Sequence, residues 1–188
     1  MHSFAQQKLD RAPRIVVLIL GAIALLLQSS SGFAANATGA SPAMIGASVG
    51  HGNVFGEGQR PARYGVNFSP GASSSSALMP SFGAVVAEDD SSFVYVAIRR
   101  EFWLNYRWGL VPSFGVGAYQ GGSELDLGHS LEFRSGLEVT RRFNNDFCLG
   151  LAIFHVSNGG LSERNPGTES VVLSVYVPME HGRIRGRQ

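Results

Sequence analysis

FCLGLAIFHVS, residues 147 to 157, alternates with a period of two. Phe147, Leu149, Leu151, Ile153, His155 and Ser157 hold the odd positions, and Cys148, Gly150, Ala152, Phe154 and Val156 the even ones. Successive side chains of a strand point to opposite faces, so bulky apolar groups dominate one side and mostly small groups the other. That division suits a wall with lipid outside and a narrow, packed lumen inside. At the end of the apolar side stand two polar groups, His155 and Ser157, which need an explanation.

The neighbouring segments repeat the pattern. In 130 to 143, Leu131, Phe133, Ser135, Leu137, Val139, Arg141 and Phe143 share one face, and Glu132, Arg134, Gly136, Glu138, Thr140 and Arg142 share the other. A soluble sandwich would turn that charged face to water; a small transmembrane barrel turns it inward. In 169 to 178, Val171, Leu173, Val175 and Val177 oppose Ser170, Ser174 and Tyr176, with Val172 as the exception. Eight such segments are expected, at 44–54, 61–69, 77–87, 92–102, 105–119, 130–143, 146–156 and 169–178, bounded by Gly, Pro, Ser and Asn clusters. Several match the roughly 9 to 11 residues of a tilted membrane-crossing strand. An even number of them predicts an all-β fold, an eight-stranded antiparallel transmembrane β-barrel of the outer membrane. Trp103, Tyr106, Trp108 and Tyr119 fall near expected strand ends, where aromatic girdles sit. "NND" at 144–146 reads as a short periplasmic turn, which places the longer 158–168 connection on the outer side.

The N-terminus agrees with export. Lys8, Arg11 and Arg14 precede the apolar run Ile15 to Gln28 and a small-residue stretch, the order of a signal peptide spanning 1–37. The run is shorter than the roughly 20 residues of a membrane-spanning helix. The barrel domain is then expected at 38–179, followed by a basic tail at 180–188. Without Lys8, Arg11, Arg14 and Asp10, twelve arginines face thirteen acids, so charge gives nucleic-acid binding no support. A single cysteine, Cys148, rules out an internal disulfide.

His155 and Ser157 project from one strand face. A serine hydroxyl becomes a nucleophile when an imidazole takes its proton, and a third group must orient that imidazole. Glu169 opens the next antiparallel strand with the parity of Val171 and Leu173, so all three fall on the lipid-facing side. In the loop after Ser157, Asn158, Gly159 and Gly160 offer donors for an oxyanion, glycine leaving its N–H unobstructed. Asn165, in "RNPG", is either an amide donor or the cap of a turn made by Pro166 and Gly167. Arg141 and Arg164 stand between phosphate contacts and ordinary surface arginines. His51, His129 and His181 have no comparable partner, and no Cys, His and carboxylate cluster suggests a metal. No cofactor is needed.

"FHVSNGG", then "NPG" and Glu169, resembles the lipid A 3-O-deacylase family of Gram-negative outer membranes, the PagL type. The resemblance is strongest over 154–169 and weaker over 127–139. It implies Ser157 as nucleophile, His155 as base and Glu169 as orienting acid. It also implies Asn165 at the oxyanion site, with backbone donors at Gly159 and Gly160. Alanine is common in the family at the first of these, so Gly159 departs from it. The chain departs again where the last strand gives way to a basic tail instead of ending on an aromatic residue. The implied substrate is lipid A of lipopolysaccharide, attacked at the ester of its position-3 acyl chain among outer-membrane lipids, with a homodimer compatible. From the residues alone, two rivals stay open: a non-catalytic anchor or adhesion barrel, and a phospholipase-type serine esterase.

Overall fold

The computed structural model describes residues 41–71, 78–144 and 146–179. The expected leader, the tail and Asn145 of the "NND" turn lie outside them. Eight full strands run as β1 (Met44–Gly52), β2 (Ala62–Ser69), β3 (Met79–Ala87), β4 (Ser92–Arg99), β6 (Trp108–Gln120), β7 (Leu131–Arg142), β8 (Cys148–Ser157) and β9 (Thr168–Pro178). A two-residue β5 (Phe102–Trp103) continues the line of β4. Each full strand pairs antiparallel with the next full strand along the chain, β4 and β5 both lying against β6, and β1 pairs with β9, so the sheet closes on itself. The fold is an eight-stranded antiparallel barrel, as the alternation predicts.

The expected 92–102 strand divides because of one residue on its partner. Arg99 pairs with Ser113 and Phe102 with Leu110, which puts Pro112 opposite the gap. Proline has no N–H to give the ladder, and only the Arg100 N–H to Pro112 O bond, 3.2 Å, spans the break.

Facing follows parity throughout. Val66, Val94, Val96, Ile98, Phe114, Leu137, Leu151 and Leu173 are exposed on the outer wall, far more apolar surface than a water-soluble monomer carries. Inside, aromatic rings occupy the space left by glycines on the adjoining strand: Tyr95 at Gly83, Tyr176 at Gly46 and Phe154 at Gly136. Some of the lumen charges have partners, whereas Glu132 is fully buried with neither carboxylate oxygen hydrogen-bonded among the described residues. Glu138 accepts the Tyr176 hydroxyl at 2.7 Å, and Arg134 lies 3.4 Å from the Phe154 ring centre and 4.4 Å from that of Tyr95. Tyr119 corrects the girdle expectation. Its odd parity on β6 turns it inward with Gly115 and Gly117, and its buried hydroxyl donates to Leu125 O at 2.8 Å. Trp108 does face outward, and Tyr106 is exposed in the bend before it.

One rim carries both ends of the described barrel, Met44 and Pro178, with the 100–107 and 143–147 connections. The other carries the connections 53–61, 88–91, 121–130 and 158–167.

Candidate active site

The register of β8 and β9 sets His155 directly across from Glu169, on the outer wall at the rim away from the chain ends. Their side chains meet. His155 Nδ1 lies 2.9 Å from Glu169 Oε1, both groups being part-exposed. With Nδ1 held by the carboxylate, Nε2 is left as the nitrogen that can take a proton. Ser157 follows on the same face, opposite Phe133 of β7, and Ser135 flanks His155 from that side. Among the described residues no hydrogen bond joins the Ser157 hydroxyl to the imidazole. The structure therefore joins Glu169 to His155 and leaves the Ser157 hydroxyl on the same face without a bond to either; in catalytic sites such contacts are often loose in the absence of substrate.

Glu169 is anchored through its backbone. Its carbonyl accepts the Val54 N–H at 3.2 Å, and the buried Thr168 hydroxyl accepts the Asn53 N–H at 3.2 Å. The start of β9 is thereby tied to the loop after β1.

The loop donors sort themselves by what they already bond. Asn158 is fully buried: its amide nitrogen donates to Leu127 O at 2.9 Å and Arg164 O at 2.8 Å, and its amide oxygen accepts the Gly160 N–H at 2.9 Å. Its own N–H donates to Asn165 Oδ1 at 3.1 Å, and Leu161 N–H closes a turn onto Asn158 O at 3.2 Å. The N–H groups of residues 158, 160 and 161 are thus occupied within the loop. Gly159 N–H is not among them, and Asn165, exposed and held by its oxygen, keeps its amide N–H groups for another acceptor. Asn165 was open between donor and turn cap on the sequence alone; here it is a loop tie with a free donor end.

Asn158→Ala should leave the buried Leu127 carbonyl without this donor, at about 1–3 kcal/mol, while Arg164 O keeps the Ser162 hydroxyl. The expected result is faster hydrogen exchange over 158–167 and a fall in any activity of the site, with the barrel intact by heat-modifiable gel migration.

Gly167, which the sequence alone shows only as a turn former, lies against the His155 imidazole. Its φ is +64°, and a Cβ built there would lie 3.0 Å from His155 Cε1. The bare backbone is what gives the imidazole its place. Gly167→Ala should push the ring away from Glu169, and misplacement by about 1 Å costs on the order of 10²-fold in rate. Comparing turnover with gel migration separates this from misfolding. Its only sequence signal was a glycine two positions before the acid.

Gly159 also adopts positive φ, +64°, and a Cβ there would stand 3.1 Å from the Phe133 ring. A β-carbon would thus be strained and crowded at this position.

The two arginines separate as well. Arg164 pairs with Asp126 at 3.0 Å, an exposed bridge that ties the 158–167 loop to the 121–130 loop, while Arg141 sits at the opposite rim. His51 and His129 contact backbone carbonyls, at Arg60 and Leu131, and His181 lies outside the described residues. Among the described residues no group of three His, Cys, Asp or Glu is arranged to hold a metal.

Barrel and cluster together define a class: a small outer-membrane-type barrel with an acid–base pair and a hydroxyl on its outward wall. The family model "Lipid A 3-O-deacylase (PagL)" matches residues 62–178, and the chain belongs to that family. Among solved structures, the outer membrane enzyme PagL matches with a TM-score of 0.59 at 23% identity, over 72% of this chain and 99% of that one. Neisserial surface protein A matches equally well in shape, TM-score 0.59, at 11% identity over 75% and 99%. A de novo designed transmembrane β-barrel follows at 0.54, with 10% identity over 74% and 96%. No curated protein sequence matches significantly. Barrels as different as a surface protein and a design share this shape, so the fold alone specifies no chemistry.

Proposed function

We propose that this protein is a lipid A 3-O-deacylase of the outer membrane, hydrolysing the position-3 ester by a Ser157, His155 and Glu169 triad open to lipid. The observation that carries the reading is the 2.9 Å contact between His155 Nδ1 and Glu169 Oε1 on the outer wall. An acid on Nδ1 fixes the tautomer that presents Nε2 to a hydroxyl on the same face.

In this reading the rim with the 121–130 and 158–167 loops faces outward, where the longer loops of such barrels lie. The ester of a membrane-held acyl chain sits near head-group level, beside a triad on the outer wall. His155 Nε2 takes the Ser157 proton as Ser157 Oγ attacks the carbonyl. Gly159 N–H and Asn165 Nδ2 stabilise the oxyanion, and His155 then protonates the leaving sugar oxygen. Water, deprotonated by His155, frees the 3-acyl chain as the acid and restores Ser157. Asn158 shapes the loop from within; its N–H and amide are already engaged, so it gives the oxyanion nothing directly.

The test is hydrolysis by the purified full chain in detergent, with lipid A and with glycerophospholipid offered separately. Release of a 3-hydroxy fatty acid from lipid A alone is the expected result. Release from glycerophospholipid in the absence of lipid A would contradict the substrate assignment.

A further inference from the structure

Arg141 is one residue from the end of β7 and faces outward, at the rim opposite the acid–base pair. An arginine on the lipid face is costly at the bilayer midplane and nearly free of cost near the interface, so this position belongs at head-group level. Arg107 stands beside it, and both line one cavity with Arg142, Phe143 and Asn144. The bend that carries Arg107 is built. Asn105 Oδ1 accepts the N–H groups of Arg107 and Trp108, each at 2.9 Å, and Arg142 N–H donates to Arg107 O at 2.7 Å.

Aromatic rings hold both guanidinium groups. Arg141 lies 5.6 Å from the Trp108 ring centre and 5.1 Å from that of Phe143, and Arg107 lies 5.0 Å from that of Tyr106. Such contacts attract the cation and satisfy none of its five N–H donors. The nearby acids are engaged elsewhere, Glu101 with Arg99 at 3.4 Å and Asp146 with Arg142 at 3.9 Å. Among the described residues neither Arg107 nor Arg141 has a carboxylate partner. Two exposed, unneutralised arginines therefore share a cleft framed by interfacial aromatics, with the apolar outer wall running away from it along Val139 and Leu137.

We propose that this rim binds the phosphate head group of an anionic glycerophospholipid, its acyl chains lying along the apolar wall. Guanidinium and phosphate form charge-assisted, often bidentate hydrogen bonds, and the chains continue into a surface already made for lipid. The proposal takes from the functional reading only that this rim faces the periplasmic leaflet; the binding itself stands whether or not the triad hydrolyses anything.

Native mass spectrometry of the full chain released from detergent tests it, with dioleoylphosphatidylglycerol, dioleoylphosphatidylcholine and inorganic phosphate as probes. Phosphatidylglycerol adducts should survive in preference to phosphatidylcholine, and inorganic phosphate should not be retained. Removing one arginine near an anionic lipid weakens attraction about five-fold, so Arg107→Gln with Arg141→Gln should reduce phosphatidylglycerol binding by about 25-fold. An Arg60→Gln control at the other rim should leave it unchanged. Equal retention of both lipids by the wild-type chain, or undiminished phosphatidylglycerol binding by the double variant, would overturn the proposal. The head-group comparison requires no variant, so it decides even if the double substitution folds poorly.

Discussion

Ser157→Ala should abolish deacylation to within the background left by binding and the oxyanion donors. Losing the nucleophile of a serine triad costs on the order of 10⁶-fold in turnover. The substitution removes one oxygen from a part-exposed position on the outer wall, opposite Phe133, and breaks no hydrogen bond of the described structure. The barrel should therefore migrate on gels, folded and heated, as the wild type does. Fatty acid release from lipid A in detergent, followed over several orders of magnitude, is the measurement. A variant that keeps more than a few per cent of the rate would remove Ser157 from the nucleophile's role.

Glu169→Ala should be the next most damaging change, at about 10⁴-fold, the scale on which the orienting acid of a triad acts. Its physical basis is the contact to His155 Nδ1: without the carboxylate, neither the tautomer nor the ring orientation is fixed, and the imidazolium formed during attack loses its counter-charge. Glu169→Gln should fail almost as badly, because a neutral amide leaves that cation unbalanced. The effects should not add. Ser157→Ala with Glu169→Ala should be no slower than Ser157→Ala alone, since the acid works only through the histidine and the serine. Backbone anchoring of β9 at Thr168 and Glu169 uses main-chain and threonine groups, so neither substitution should loosen the barrel.

The parts of this structure that sequence made legible are those with short-range periodicity. Leu149, Leu151 and Ile153 against Gly150, Ala152 and Val156 set the facing of β8, and the same parity carried His155, Ser157 and Glu169 to one side. The contact between His155 and Glu169 followed from an antiparallel pairing across a single loop. What stayed hidden depends on partners far along the chain. The division of the 92–102 strand reflects Pro112 on the adjoining strand, and no local feature of residues 99–102 announces it. Asn158 reads locally as an oxyanion donor, yet a carbonyl 31 residues away, Leu127 O, draws its amide into the interior. Gly167 looked like turn chemistry because the imidazole it makes room for belongs to another strand. Tyr119 was a different failure. Its parity with Gly115 and Gly117 points inward, whereas its place near a strand end suggests a girdle, and the parity decides.

In the proposed function this outward-facing cluster removes the acyl chain at position 3 of lipid A. Mass spectrometry of lipid A from Gram-negative cells with and without the protein tests it most directly. The expected result is a new species lighter by one ester-linked 3-hydroxyacyl chain, assigned to position 3 by fragmentation and missing when Ser157→Ala is expressed at the same level. An acyl pattern unchanged by the wild-type protein, in membranes whose lipid A carries that chain, would contradict it.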